Sequence, residues 1–198
     1  MSPLRRGFKA EANRLAREIR QDLGLNAVDP LDPRALAQDL AIPLVPLSAL
    51  KKDAPAVVRH FSQQESGAFS AMTMFYGTRR AILYNDSHSP GRQASDIAHE
   101  LSHALLQHPP EVAIDHRGRR NWNQNLEDEA TWLAGALLIS DEAAIEIAKN
   151  QMSTDIAALA YGVSEQMIVW RLNVTAAVHR VGLSRKGKKR RNGGTGSG

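Results

Sequence analysis

Two histidines stand four residues apart at His99 and His103, with Glu100 directly after the first. On a helix, side chains at that spacing project from one face, close enough for both imidazoles to hold a single ion. Glu100 lies beside that face, where its carboxylate can take a proton from a water that the ion polarises. Such an ion lowers the pKa of water to roughly 7 and polarises a scissile carbonyl, and the glutamate then carries the proton to the leaving amine. The spacing therefore predicts metal-dependent hydrolysis of a peptide bond. The plain alternative is a pair of surface histidines on an amphipathic helix. Ile97, Ala98, Leu101, Ala104 and Leu105 surround the pair, however. That pattern predicts a half-buried helix, where two polar rings need a partner such as a metal.

The chain contains no cysteine, which excludes thiolate metal sites, disulfides and a cysteine nucleophile together. Any further ligand must be His, Asp or Glu. The acidic run Glu127-Asp128-Glu129 opens a strongly apolar segment and offers candidates. Glu127 and Thr131 share one helical face while Glu129 points to another, so one of these glutamates at most can face the ion. Acids also favour the first turn of any helix through its dipole. Local spacing alone leaves the choice open.

The elements that must position these groups are legible from periodicity and punctuation. Phe8 to Leu23 carries apolar or small residues at helical spacing, and Asp32-Pro33 reads as a cap and first turn of a short helix through Leu40. Ile42 to Leu47 holds two prolines and is at best an edge strand. Ala68 to Met74 and Arg80 to Tyr84 read as two strands around a turn at Gly77. Ser89-Pro90 opens the helix of the paired histidines, expected to run to about His108 before Pro109-Pro110. Glu111 to Asn123 reads as a loop or short hairpin, Asn125 to Ile139 as a buried helix, and Ser140 as the cap of another. Ser153 to Tyr161, a Gly162 break, and Ser164 to about Val181 form a closing helix pair.

Taken together, the segments Ala81-Ile82-Leu83-Tyr84-Asn85, Gly91-Arg92-Gln93, Ile97 to Leu106 and Glu127 to Ser140 resemble the ImmA/IrrE family of bacterial metallopeptidases. The resemblance covers most of the chain and is far more specific than the five-residue motif. It implies an α+β, zincin-like fold, mostly helical, with a small antiparallel or mixed sheet and a C-terminal helix pair. It also implies that Glu127, leading the downstream helix, is the third ligand beside His99 and His103, with Glu100 as general base. A polar residue four positions on would support the site, and here it is Thr131, which lacks a carboxylate or amide oxygen. Ser140 departs too, standing where the family usually has proline. Zinc suits two nitrogens, one carboxylate and an open position, with manganese or iron as alternatives. The implied substrate is a partner transcriptional repressor of the helix-turn-helix type, cut to lift repression.

Other features bear on that expectation. Residues 1–150 form the expected peptidase domain, 151–183 the helix-turn-helix-like pair packed on it, and 184–198 a disordered basic tail. The tail holds six cations and no acid; removing them from the net charge of +4 leaves the rest at about −2. Weak, salt-sensitive contact of the tail with nucleic acid is expected at most. In the helix pair Glu165 would repel phosphates, with Arg171 and Arg180 alone to offset it, so specific DNA reading is not expected. The competing class is a non-enzymatic regulator that senses metal and binds DNA or protein through this pair. The strand Arg80 to Tyr84 is either an edge for an extended peptide or merely a cover for the core. Tyr76 and Tyr84 are candidates for stabilising an oxyanion, although a tyrosine beside a buried helix is more often simply packed. His108 reads as a helix-end residue, and His60, His88, His116 and His179 as surface residues. The opening residues lack the apolar run of a signal peptide and no stretch approaches a membrane span, which predicts a cytoplasmic protein.

Overall fold

The computed structural model describes residues 4–109 and 123–192. Helix α1 (Phe8–Asp22) buries Phe8, Ala12, Ala16 and Ile19 on one face. Helix α2 (Pro33–Asp39) starts where the Asp32 carboxylate accepts the Arg34 N–H at 2.9 Å. Strand β1 (Leu44–Pro46), the short helix α3 (Pro55–Arg59), β2 (Ala71–Tyr76) and β3 (Arg79–Tyr84) follow. The helical remainder is α4 (Pro90–Leu105), α5 (Gln124–Leu138), α6 (Asp141–Lys149), α7 (Thr154–Tyr161), α8 (Glu165–Val174) and α9 (Ala177–Asn192). The architecture is α+β and mostly helical, with one small mixed sheet.

That sheet has the order β1-β3-β2. β1 runs parallel to β3, with Leu44 opposite Ile82, and β2 runs antiparallel to it, from Ala71 opposite Tyr84 to Tyr76 opposite Arg79. The β2–β3 hairpin turns through Gly77, whose φ of +59° is one that L side chains rarely adopt. The expectation of β3 as an edge strand is therefore corrected. β1, despite Pro46 and the adjacent Pro43, pairs along β3 and, among the described residues, leaves β2 as the edge beside it. Pro46 is tolerated because β1 is itself an edge.

Helices α4 and α5 pack along each other, α1 covers α5, and α4 also lies against β2 and β3. Ile97, Leu101, Leu133 and Leu137 are wholly buried where they meet, each contributing about 1.5–3 kcal/mol of hydrophobic stabilisation. A second cluster, including Leu138, Ala143, Ile147, Ala157 and Ile168, joins α5 to α6, α7 and α8. The C-terminus of α5 is buried, so its last carbonyls need donors from elsewhere. Two buried arginines supply them. Arg20 donates to the Leu137 carbonyl at 2.6 Å, and Arg171 to the Ile139 carbonyl at 2.9 Å and to Asp141 at 3.1 Å. Cations at a helix C-terminus also oppose its dipole. Arg171 thus faces inward, unavailable to phosphates, which leaves Arg180 of the two cations considered for that role.

Three boundaries differ from those read from the sequence. α4 stops at Leu105, because Gln107 turns the chain with φ +54°. The stretch from Ser164 to Val181 is broken after Val174, where the Thr175 hydroxyl bonds back to the Arg171 carbonyl at 2.7 Å and Ala176 has φ +50°. α9 then continues past residue 184 to Asn192, into the segment expected to be disordered. Lysine and arginine are good helix formers, and elongating an existing helix costs far less than starting one. The stretch expected as a loop or hairpin, apart from Asn123, and His116 within it, lie outside the described residues, as does the end of the chain from 193. No helix among the described residues is long and apolar enough to cross a membrane.

Candidate metal centre

Helix α4 buries Ala94, Ile97, Ala98, Leu101 and Ser102 and leaves the opposite side of its final turns half-buried. His99 and His103 sit on the border between these faces, with side chains 26% and 20% exposed. Their Nε2 atoms lie 3.1 Å apart. From α5, Glu127 brings Oε2 to 3.1 Å of His99 Nε2 and Oε1 to 3.5 Å of His103 Nε2. The Asn123 side chain caps α5 by accepting the Asn125 N–H at 3.1 Å, which sets the helical phase that aims Glu127 at α4.

These separations suit a divalent ion. Ligands about 2.0–2.1 Å from a tetrahedral centre stand about 3.3 Å from one another, within the 3.1–3.5 Å spacing of the three groups. The described residues bring together one such trio of candidate ligand atoms, all within 4.8 Å of one another. Burial pushes the Glu127 carboxyl up, but hydrogen bonds from His103 and His99 outweigh it and hold it at about 2. The ionised form is the one that binds a cation. All three side chains keep some exposure, from 14% to 26%, so water reaches them.

Glu100 accepts a hydrogen bond from the Thr73 hydroxyl of β2 at 2.6 Å. The strand β2 thus lies directly against the residue expected to act as base. Thr131, one turn on from Glu127, places its hydroxyl 3.5 Å from His99 Nδ1, at the limit of a hydrogen bond. Asp128 is buried and accepts from the Gln124 amide at 3.0 Å. Glu129 faces elsewhere, accepting the Arg5 Nε–H at 2.9 Å. Of the three consecutive acids, Glu127 is the one that joins the histidines.

Several residues fall differently from the sequence reading. His108 is not merely a helix-end residue: its Nδ1 lies 2.9 Å from His103 Nδ1, its Nε2 is 3.5 Å from Glu129, and its side chain is 6% exposed. Burial pushes its imidazole pKa down, as does the neighbouring His103, against the opposing pull of Glu129. His88, expected at the surface, is buried between Asp96 at 3.3 Å and the Ser66 carbonyl at 2.8 Å. It shares a knot with Asn85, whose amide donates to the Phe61 and Phe69 carbonyls, tying the chain before β2 to the start of α4. Tyr76 is 86% exposed, three residues or about 10 Å along β2 from Thr73, and Tyr84 packs against the core. No sequence signal marks Thr73 or the inward turn of His108, because both depend on how the chain folds beyond the motif itself.

A small mixed sheet, a helix presenting two histidines with Glu100 beside them, and a second helix whose Glu127 completes the trio define a zincin-type metallopeptidase. The chain belongs to the IrrE N-terminal-like domain family, peptidase family M78, whose model matches residues 49–173. That span takes in α3 through most of α8 and all three residues of the cluster. No curated protein matches the chain.

Proposed function

We propose that this metallopeptidase uses zinc at His99, His103 and Glu127, with Glu100 as general base, to cleave a partner transcriptional repressor of the helix-turn-helix type. The observation that carries the chemistry is the trio itself: two imidazole nitrogens and a carboxylate at tetrahedral ligand spacing. That donor set, within reach of water, is the arrangement of catalytic zinc sites. Manganese is the alternative these donors also accept. A divalent ion held there supplies a Lewis acid that activates water and polarises the scissile carbonyl.

The protein's own groups do the rest. Glu100, oriented by Thr73, accepts the proton of the attacking water and delivers it to the leaving nitrogen. Among the described residues no strand pairs with the outer side of β2, and that edge favours an extended substrate. Met72, Met74 and Phe75 are each at least a third exposed, and an edge strand offers main-chain groups to a peptide laid alongside it. The repressor as substrate rests on the family resemblance. A regulator reading DNA through α7 and α8 is disfavoured by the inward-facing Arg171 and by Glu165, which accepts from Thr154 at 3.0 Å.

The test compares new protein N-termini in cells expressing wild type or Glu100→Gln. A cut within a helix-turn-helix repressor, seen with wild type only, is the expected result. A wild-type-specific cut confined to another class of protein overturns the substrate assignment. Identical N-termini in both, with the repressors intact, contradict the proposal as a whole.

A further inference from the structure

The structure assigns to His108 more than the closing of a helix. It is a positioning residue that fixes the tautomer and orientation of His103 for metal binding, and Glu129 fixes His108 in turn. This inference rests on His103 being a ligand.

The backbone at the end of α4 brings the two rings together. α4 ends in a Schellman turn, in which Gln107 takes the left-handed conformation at φ +54°. The His108 N–H bonds the His103 carbonyl at 3.0 Å, and the Gln107 N–H bonds the Ala104 carbonyl at 3.1 Å. In such turns the residues corresponding to 103 and 108 commonly make an apolar contact. Here two imidazoles meet instead, with ring centroids 5.0 Å apart and Nδ1 atoms at 2.9 Å. The turn that ends α4 therefore places His108 beside His103.

Valence then dictates the direction of the bonds. His103 turns Nε2 toward Glu127 and His99. A neutral imidazole that gives its Nε2 lone pair to a metal carries its proton on Nδ1. His103 Nδ1–H must donate, so His108 Nδ1 must accept, and the His108 proton belongs on Nε2. That nitrogen faces the Glu129 carboxylate at 3.5 Å, a charge contact longer than a full hydrogen bond. Glu129 is itself anchored by Arg5 at 2.9 Å, across 124 residues of sequence. The result is a relay from Arg5 through Glu129 and His108 to His103. A carboxylate or other acceptor behind a ligating histidine orients the ring and raises its basicity, and losing one typically costs about 10- to 100-fold in metal affinity.

The test exploits the two nitrogens of the ring. His108→Asn keeps an oxygen near the place of Nδ1, where it can accept from His103. His108→Gln moves its oxygen to the place of Nε2, away from His103 Nδ1. The affinity of purified full-length chains for Zn2+ is read by competition with a chromophoric chelator, alongside the unfolding temperature of the metal-free proteins. The expected result is binding within about 3-fold of wild type for Asn and at least about 10-fold weaker for Gln, with similar metal-free unfolding temperatures. Equal zinc affinity in all three proteins, or equal losses in both variants, overturns the inference while leaving the metal site standing. A wild type that binds no zinc overturns the site reading on which it depends.

Discussion

At the scale of single residues, the site divides by where each partner lies along the chain. His99, Glu100 and His103 are legible because a helix fixes their relation over five residues. Glu127 needs the family pattern to be chosen over Glu129, since both suit a helix's first turn. Thr73 is out of reach of the sequence: its contact with Glu100 depends on β2 crossing α4, 27 residues away along the chain. That hydrogen bond yields a prediction. Hydrogen bonds to charged groups contribute about 1.5–3 kcal/mol. Thr73→Val should therefore lower kcat by about 10- to 100-fold on the physiological substrate, with zinc content unchanged. Steady-state kinetics alongside metal analysis check this, and an unaltered kcat would show that Glu100 needs no such support.

At the scale of elements, helices are the more legible because caps and 3.6-residue periodicity are local signals. Asp32, Asn123, Ser140 and Ser164 each accept a backbone N–H at a helix start, as side chains of these types should. Strand order is harder. The place of β3 at the centre depends on a short, proline-bearing partner whose own sequence argues weakly for a strand. Helix contacts hide a further requirement at Gly135 of α5. A Cβ there would stand 2.1 Å from Cζ3 of Trp170 on α8 and 3.0 Å from Cδ of Arg171. Helix propensity alone would make Gly135→Ala stabilising by about 1 kcal/mol. Overpacking of this kind costs about 1–3 kcal/mol, and strain against a tryptophan ring that is partly buried against the core should win. We expect a lower unfolding temperature for metal-free Gly135→Ala, by about 2–4 °C for each net kcal/mol lost. Calorimetry decides it: a rise would mean that α8 yields freely.

At the scale of the whole molecule, the two buried arginines and the trio of His99, His103 and Glu127 make α5 the common support. One end is stitched by Arg20 and Arg171, and the other presents Glu127 to α4. This arrangement is illegible in sequence because an arginine there reads as a surface charge, and only burial shows it serving helix carbonyls. An ion bridging α4 and α5 should also tighten the fold, by about 2.7 kcal/mol at a free concentration 100 times Kd. The most direct test of the central claim is the zinc content of wild type, Glu127→Gln and Glu100→Gln after dialysis against buffered Zn2+ that just saturates wild type. Wild type and Glu100→Gln should each hold one equivalent, and Glu127→Gln should fall far short of it, because the proposed function makes Glu127 a ligand and Glu100 a base. A full equivalent in Glu127→Gln, or its loss in Glu100→Gln, would contradict the roles assigned to these two residues.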